Sequence, residues 1–396
     1  MNHPIFSMLL PLLLLGAVAQ AQATPPTGKP AQPPFKLTLT DNQNKIFKGE
    51  LKTYTFAKSW TLDPDGVARS EKYNKLSPTL MPMLDRIEAE VNARKPRPAV
   101  FKNVDGQWIA TDQNGWIFDR DGTRDNVRKA ISLGKTSAQV AFARVVPERS
   151  VKVLAGRGVL WHVSTGKSSY AGSPDFRETN ILVGADKLDN FFIAPDHEFD
   201  FNKEIGQIDA STGFVPGFII SGGTLAKEDG GGICQVSTTV FRALYGAGLP
   251  ITDRSEHSHR VTYYDPVGFE ATVYAPYKNL KVKNDTGAHL FVQASWNRAE
   301  QSLCFDVFGA NTGREVTVGD PVISDFKAPA APSFTPDPSV GLGRSRLLDT
   351  PMQGMTSVIQ RTVKVKGKTV STDLLKSVYA PWGAVYGVNP ADARLR

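Results

Sequence analysis

Long apolar runs are nearly missing from this chain of 396 residues. The one run, Ile5 to Val18, lies at the start, which excludes a polytopic membrane protein. No Gly-X-Y period threads the 34 glycines and 27 prolines, so collagen is excluded and the excess points to turns and strands rather than long helices. Lys and Arg exceed Asp and Glu, 46 to 39, giving a formal charge of +7 and a pI of about 9.2. Yet there is no run of five basic residues and no zinc-finger or RNA-binding pattern, so nucleic acid is not an expected partner. Such a charge suits an anionic cell-envelope polymer, or serves solubility alone. Cysteine is scarce, with Cys234 and Cys304 the whole complement. None follows the leading apolar run closely, so a lipid anchor is not expected there. The triplet Gly166-Lys167-Ser168 lacks the upstream glycine of a phosphate loop, because Trp161 stands in its place.

What is present reads as an exported chain of small modules. The apolar run is too short to span a bilayer and is followed by Ala19-Gln20-Ala21 and Ala21-Gln22-Ala23, small-x-small cleavage patterns; residues 1–23 are expected to be a signal peptide, although no Lys or Arg precedes the run. Residues 24–35 are a Pro-rich spacer. Polar–apolar alternation from Lys36 to Asp63 predicts strand, and Ser77-Pro78 opens a helix whose Leu84, Ile87 and Val91 share one face. Turns are expected at Asp105-Gly106, Asn114-Gly115 and Asp121-Gly122, the last preferred to a calcium loop because its glycine comes too early. A short helix over Asp125–Gly134 and a strand over Ala138–Val146 complete a first module, residues 36–152. Residues 153–310 form the motif-rich middle, 311–346 a Pro- and Gly-rich linker, and 347–396 a small β module turning at Gly367. The fold class expected is α+β: several small modules, mostly antiparallel sheet, with a buried helix after a glycine turn.

That turn is Gly230-Gly231-Gly232, followed by Ile233-Cys234-Gln235-Val236-Ser237-Thr238-Thr239. Val236, Val240, Ala243 and Leu244 share one side and Gly246 stops the pattern, predicting a helix over 233–245. Cys234 then lies in its first turn, where unpaired N–H groups and the helix dipole favour a thiolate. His257 and His259 lie two apart on an expected strand running to Tyr264, so both face one side. Asp265 and Glu270 follow, each able to orient an imidazole. Cysteine, histidine and acid supply nucleophile, base and orienting group.

The middle region resembles the VanW family. The resemblance is carried by Asn180-Ile181, Phe199-Asp200-Phe201-Asn202 with Ile205-Gly206, the run Gly230 to Thr239, His257-Ser258, Val261-Thr262-Tyr263, and Gly268 through Val273. Asn284-Asp285-Thr286 extends it. The first module resembles YoaR-like modules, associated with peptidoglycan binding, and Ser377 to Pro381 resembles the short glycine-named β module of surface proteins. Both flanks commonly accompany VanW domains. The chain departs from the family pattern at Glu270, where the family has Asp, and at an extra Val267. The resemblance implies a cell-wall setting.

Two functions follow as expectations. One is a thiol enzyme on peptidoglycan peptide, a peptidase, amidase or transpeptidase. In it Cys234 attacks, His257 is the base, Glu270 or Asp265 orients it, and the N–H groups of Cys234 and Gln235 receive the oxyanion. Gly230, Gly231, Gly232, Gln235, Ser237, Thr238 and Asn202 are the binding candidates. The other is a non-catalytic peptidoglycan-binding or scaffold factor. No cofactor or metal is expected. A Cys234–Cys304 disulfide and a Cys234–His257–His259 zinc site stand as alternatives, as do buried-thiol and helix-surface hydroxyl roles for Cys234 and Ser237 to Thr239. Cys304 is expected to be a strand residue. The expected location is periplasm, cell envelope or outside the cell.

Overall fold

The computed structural model describes residues 33–221 and 224–396, so the expected signal peptide and nearly all of the Pro-rich spacer lie outside the described residues. Strand outweighs helix, 41% to 24%, and the architecture is α+β with several small, mostly antiparallel sheets. Among the described residues no helix is long and apolar enough to cross a membrane.

The first stretch of alternation is two strands, not one. Lys36–Phe47 pairs along its whole length with Glu50–Thr61 through a turn at Lys48-Gly49. Only the first strand has a buried face, with Leu37 and Leu39 inside. Helices α1 (Pro64–Tyr73), α2 (Met81–Ala93) and α3 (Arg120–Ser132) cover that face, and Leu84, Ile87, Val91 and Val127 fill the core. The Asp105-Gly106 turn joins Arg97–Val104 to Gln107–Gln113 as expected, but the other two expected turns do not form. Gly115 instead begins the strand Gly115–Phe118, and Asp121-Gly122 lies in the first turn of α3 because Asp119 caps that helix, accepting from the Gly122 N–H at 3.0 Å. The expected strand over 138–146 is likewise broken into Ser137–Gln139 and Phe142–Val145, which join different sheets.

Helix α4 (Val151–Gly156) leads into the antiparallel sheet Trp161–Ser169, Ser302–Gly309, Leu290–Asn297 and Phe191–Ile193, in that order. Helix α7 (Ile233–Gly246) lies against it, with α5 (Asp175–Lys187) and the short α6 (Phe201–Ile205) alongside. Gly166 is where sheet and helix meet: a Cβ there would sit 2.1 Å from the Thr239 carbonyl oxygen, so this glycine serves close packing. The core is shared across the first boundary, since Phe101 stacks on Phe308 at 3.9 Å and packs with Ile46, Leu154 and Phe291.

The region expected as a linker is built into sheets. Arg314–Val318 and Val322–Lys327 pair with Gly354–Val365, while Ser333–Pro336 and Ser345–Asp349 flank Val385–Val388. The composition misled because its prolines sit between or at the ends of short strands, where no ladder donor is lost. Gly354–Val365 pairs on its other side with Lys368–Tyr379 through the Lys366-Gly367 turn. Arg361 then ties this unit to the end of α7, donating to the carbonyls of Tyr245 and Leu249, each at 2.9 Å.

Candidate functional site

The strand Thr224–Asp229 delivers the chain into the glycine turn and α7. Gly232 is the helix N-cap at φ +118°, and a Cβ on it would lie 2.9 Å from Arg177 Cγ, so both conformation and space require glycine. Ile233 N–H donates to Gly230 O and Gln235 N–H to Gly232 O, each at 2.9 Å. The Cys234 N–H has no acceptor among the described residues. Gln235 is therefore not a free oxyanion donor, and the candidate pair reduces to Cys234 alone.

The Cys234 sulfur lies 3.4 Å from the Thr272 hydroxyl and 3.5 Å from Val273 O, and the His257 imidazole is the charged neighbour that acts on its titration. His257 Nδ1 donates to Glu270 Oε2 at 2.7 Å. Tyr264 stacks on the imidazole with ring centroids 4.8 Å apart. Glu270 is 2% exposed and its second oxygen accepts from the Tyr379 hydroxyl at 2.6 Å. Its longer side chain thus reaches the imidazole without loss of geometry.

Residues 176–308 match the family described as VanW like protein. This stretch is a VanW-family domain. The chain is 32% identical over 154 residues to the uncharacterized protein YoaR of Bacillus subtilis (strain 168), covering 38% of this chain and 50% of that one. It is 30% identical over 112 residues to the vancomycin B-type resistance protein VanW of Enterococcus faecalis (strain ATCC 700802 / V583), covering 27% of this chain and 40% of that one. The chain therefore spans half or less of the length of these curated relatives. Two solved G5 domains, of HP0197 and of an IgA1 protease, align with 19% and 20% of this chain and 97% and 96% of their own, at 25% and 17% identity and TM-scores of 0.10 and 0.12.

Within the VanW domain the electrostatics form a chain. Burial pushes the Cys234 thiol up, but the neighbouring His257 imidazole, with Thr272 and the Val273 backbone, outweighs it and holds the thiol below its ordinary value. Burial pushes His257 down, yet the charge and hydrogen bond of Glu270, with the Cys234 thiol as a further neighbour, carry it up to about 9. Burial likewise pushes Glu270 up, while His257, Tyr379 and Arg254 keep it below the ordinary carboxylate value. Each shift favours the charged form of its group: thiolate, imidazolium and carboxylate.

Cys234 and His257 open onto a cleft of about 1110 Å³ lined by Gly230, Gly232, Asn202, Arg177, Tyr263, Tyr274 and Trp382 among others, with Glu270 buried behind it. The remaining candidates are placed elsewhere or do other work. Asp265 pairs with Arg260, at 3.0 Å, and not with His257. Gln235 is fully buried behind the site, holding Ser168, the Ser169 carbonyl and Arg177. Ser237 and Thr238 donate to Ala271 O and lash α7 to the segment bearing Glu270, so they do not line the cleft. Gly231 is buried and its carbonyl accepts from Asn180. Asn202 donates to Lys278 O at 3.0 Å on the cleft wall.

The expected strand carrying both histidines does not form. The chain from Arg254 to Val261 is irregular, apart from a single bridge at Ser255, and ends in a turn of 3-10 helix over Thr262–Tyr264. His259 stacks on Trp382 at 3.9 Å, and burial holds it neutral, down at about 4. Among the described residues no cluster of His, Cys, Asp or Glu is placed to hold a metal ion, and both cysteines are free, so neither the zinc site nor the disulfide forms. Cys304 is a strand residue, opposite Lys167 and Ser295. Sequence reasoning missed Arg177, Tyr264, Thr272 and Tyr379. Of these, Arg177 left a trace, since it precedes Asn180, Ile181 and Gly184 on the buried face of α5.

Proposed function

We propose that this VanW domain is a thiol-dependent enzyme acting on amide bonds of cell-envelope peptides, with Cys234 as nucleophile. The observation that carries the reading is a half-buried Cys234 and a buried His257 lining one large cleft, with His257 held from behind by the buried Glu270. The thiolate attacks the amide carbonyl carbon, and the negative charge moves to oxygen beside the unoccupied Cys234 N–H and the positive end of α7. Collapse breaks the C–N bond, and the leaving nitrogen takes the proton of the His257 imidazolium. His257, now neutral, takes a proton from water or from an acceptor amine as it attacks the thioester; the C–S bond breaks, hydrolysis or transpeptidation results, and the thiolate–imidazolium pair is regenerated. Glu270 holds the imidazole in place and balances its charge.

The cell-envelope setting is supported by the leading apolar run, the charge of +7 and the likeness to a protein named for vancomycin B-type resistance. Export and peptidoglycan as the polymer belong to the same proposal. The first test is alkylation of Cys234 against pH in a Cys304→Ser background. A half-point well below ~8.5 that rises in His257→Ala is expected. Screening of wall peptides follows, with Cys234→Ala losing on the order of a thousand-fold or more in turnover. A half-point at or above the ordinary thiol value would leave the cleft as a binding site and the protein as a non-catalytic envelope factor.

A further inference from the structure

We propose that the C-terminal β unit is part of the site itself, with Tyr379 a positioning residue that fixes Glu270 against His257 and Trp382 a wall of the cleft. The inference rests on the reading of Cys234 as nucleophile and concerns residues outside the matched VanW stretch.

A carboxylate swings freely about its last torsion unless each oxygen is held. Here the two oxygens are held by different parts of the chain: His257 Nδ1 donates to Oε2 at 2.7 Å, and Tyr379 O–H to Oε1 at 2.6 Å. Without the phenol, Oε1 keeps only the His257 backbone N–H at 3.4 Å. Tyr379 is 3% exposed, and burial and the Glu270 charge push its hydroxyl far up, so it stays a donor. The strand end bearing it is clamped on both sides of His257. Val378 N–H donates to Glu256 Oε1 at 3.3 Å and Ala380 N–H to Ser258 O at 2.8 Å. Arg254 grips the same strand, donating to Ser377 Oγ at 2.9 Å, while its Nε donates to the Glu270 carbonyl at 2.6 Å. Three residues beyond Tyr379, Trp382 lies over His259 and borders the cleft, its indole N–H held by Asp349 at 3.0 Å.

The charged and titratable groups facing Glu270 are Arg242 from α7, Arg254, His257, His259 and Tyr264 from the preceding segment, and Tyr379 from the terminal unit. Removing the phenol takes away a donor that favours the charged carboxylate. Glu270 then protonates at higher pH, the imidazolium loses its counter-charge, and the thiolate is lost with it.

The test is alkylation of Cys234 by iodoacetamide across pH in the full-length Cys304→Ser protein, comparing Tyr379→Phe with Tyr386→Phe. Tyr386 lies in the same terminal unit but stacks on Phe334. The acid-side half-point is expected to rise by about one pH unit in Tyr379→Phe, the order of a single charged hydrogen bond, and to stay put in Tyr386→Phe. Circular dichroism checks that both variants fold. A 3-fluorotyrosine at position 379, a stronger donor that keeps the native shape, should move the half-point the other way and carries the test if Tyr379→Phe does not fold. An activated wild type whose profile neither change alters would overturn this inference and leave the nucleophile intact. A wild type with an ordinary thiol half-point would overturn both.

Discussion

Cys234, His257 and Glu270 titrate as a set, and the sign of each shift makes the set visible in stability as well as reactivity. His257 is raised from 6.5 to about 9, so its contribution is complete below pH 6.5 and is lost as pH rises through about 9. Glu270 is lowered from 4.5, so its contribution is complete above pH 4.5 and is lost as pH falls through its folded value. The His257–Glu270 pair therefore stabilises most between about pH 4.5 and 6.5. Melting temperatures of wild type and Glu270→Gln, measured from pH 3 to 10, should differ most in that window and converge on both sides. A constant difference across the range would mean that Glu270 acts by packing rather than charge. Glu270→Gln should also slow alkylation of Cys234 at neutral pH by about ten-fold, because a neutral imidazole no longer holds the thiolate.

At the scale of elements, α7 was legible in the sequence because everything that makes it is local: a glycine entry, apolar residues on one side, and a glycine stop. The two glycines at its ends differ, and substitution should separate them. Gly232→Ala forces a side chain into a left-handed N-cap, 2.9 Å from Arg177 Cγ, and should cost about 1–3 kcal/mol in urea unfolding. Gly246→Ala meets only Ser164 Cβ at 3.7 Å within the helix, and should be neutral or stabilising by up to ~1 kcal/mol. The segment from Arg254 to Tyr264 was not legible. Its spacing suggested a strand, but its polar backbone groups find partners in distant side chains instead of a ladder. Glu270 takes the His257 N–H, Lys278 donates to Glu256 O, and Arg242 donates to Tyr264 O. Nothing in the spacing of those partners along the chain announces the contact. The acid was legible only as a choice between two, and Arg260 decides it by occupying Asp265. Tyr379 was out of reach for the same reason, since its strand alternates like any edge and its role depends on where the sheet docks.

For the whole molecule, the boundaries suggested by composition are not boundaries in the packing. Phe101, in the first module, shares a core with Phe291 and Phe308 of the middle sheet, and Gln293 bonds both the N–H and the carbonyl of Phe101, at 3.0 Å each. Arg361 and Tyr379 do the same work at the other end, fastening the terminal sheets to α7 and to Glu270. A chain joined this way should unfold with its parts coupled, because loss of one unit exposes the core or unpairs the buried polar groups of the next. Phe101→Ala tests the coupling far from the cleft. Truncating this fully packed ring should cost about 3–5 kcal/mol. If the modules are coupled, the loss lowers the midpoint of one transition in which fluorescence and the exposure of Cys234 to an alkylating reagent move together. An early fluorescence change that leaves the reactivity of Cys234 at its native value would mean that the first module unfolds alone, and that the shared aromatic core is a contact between independent units.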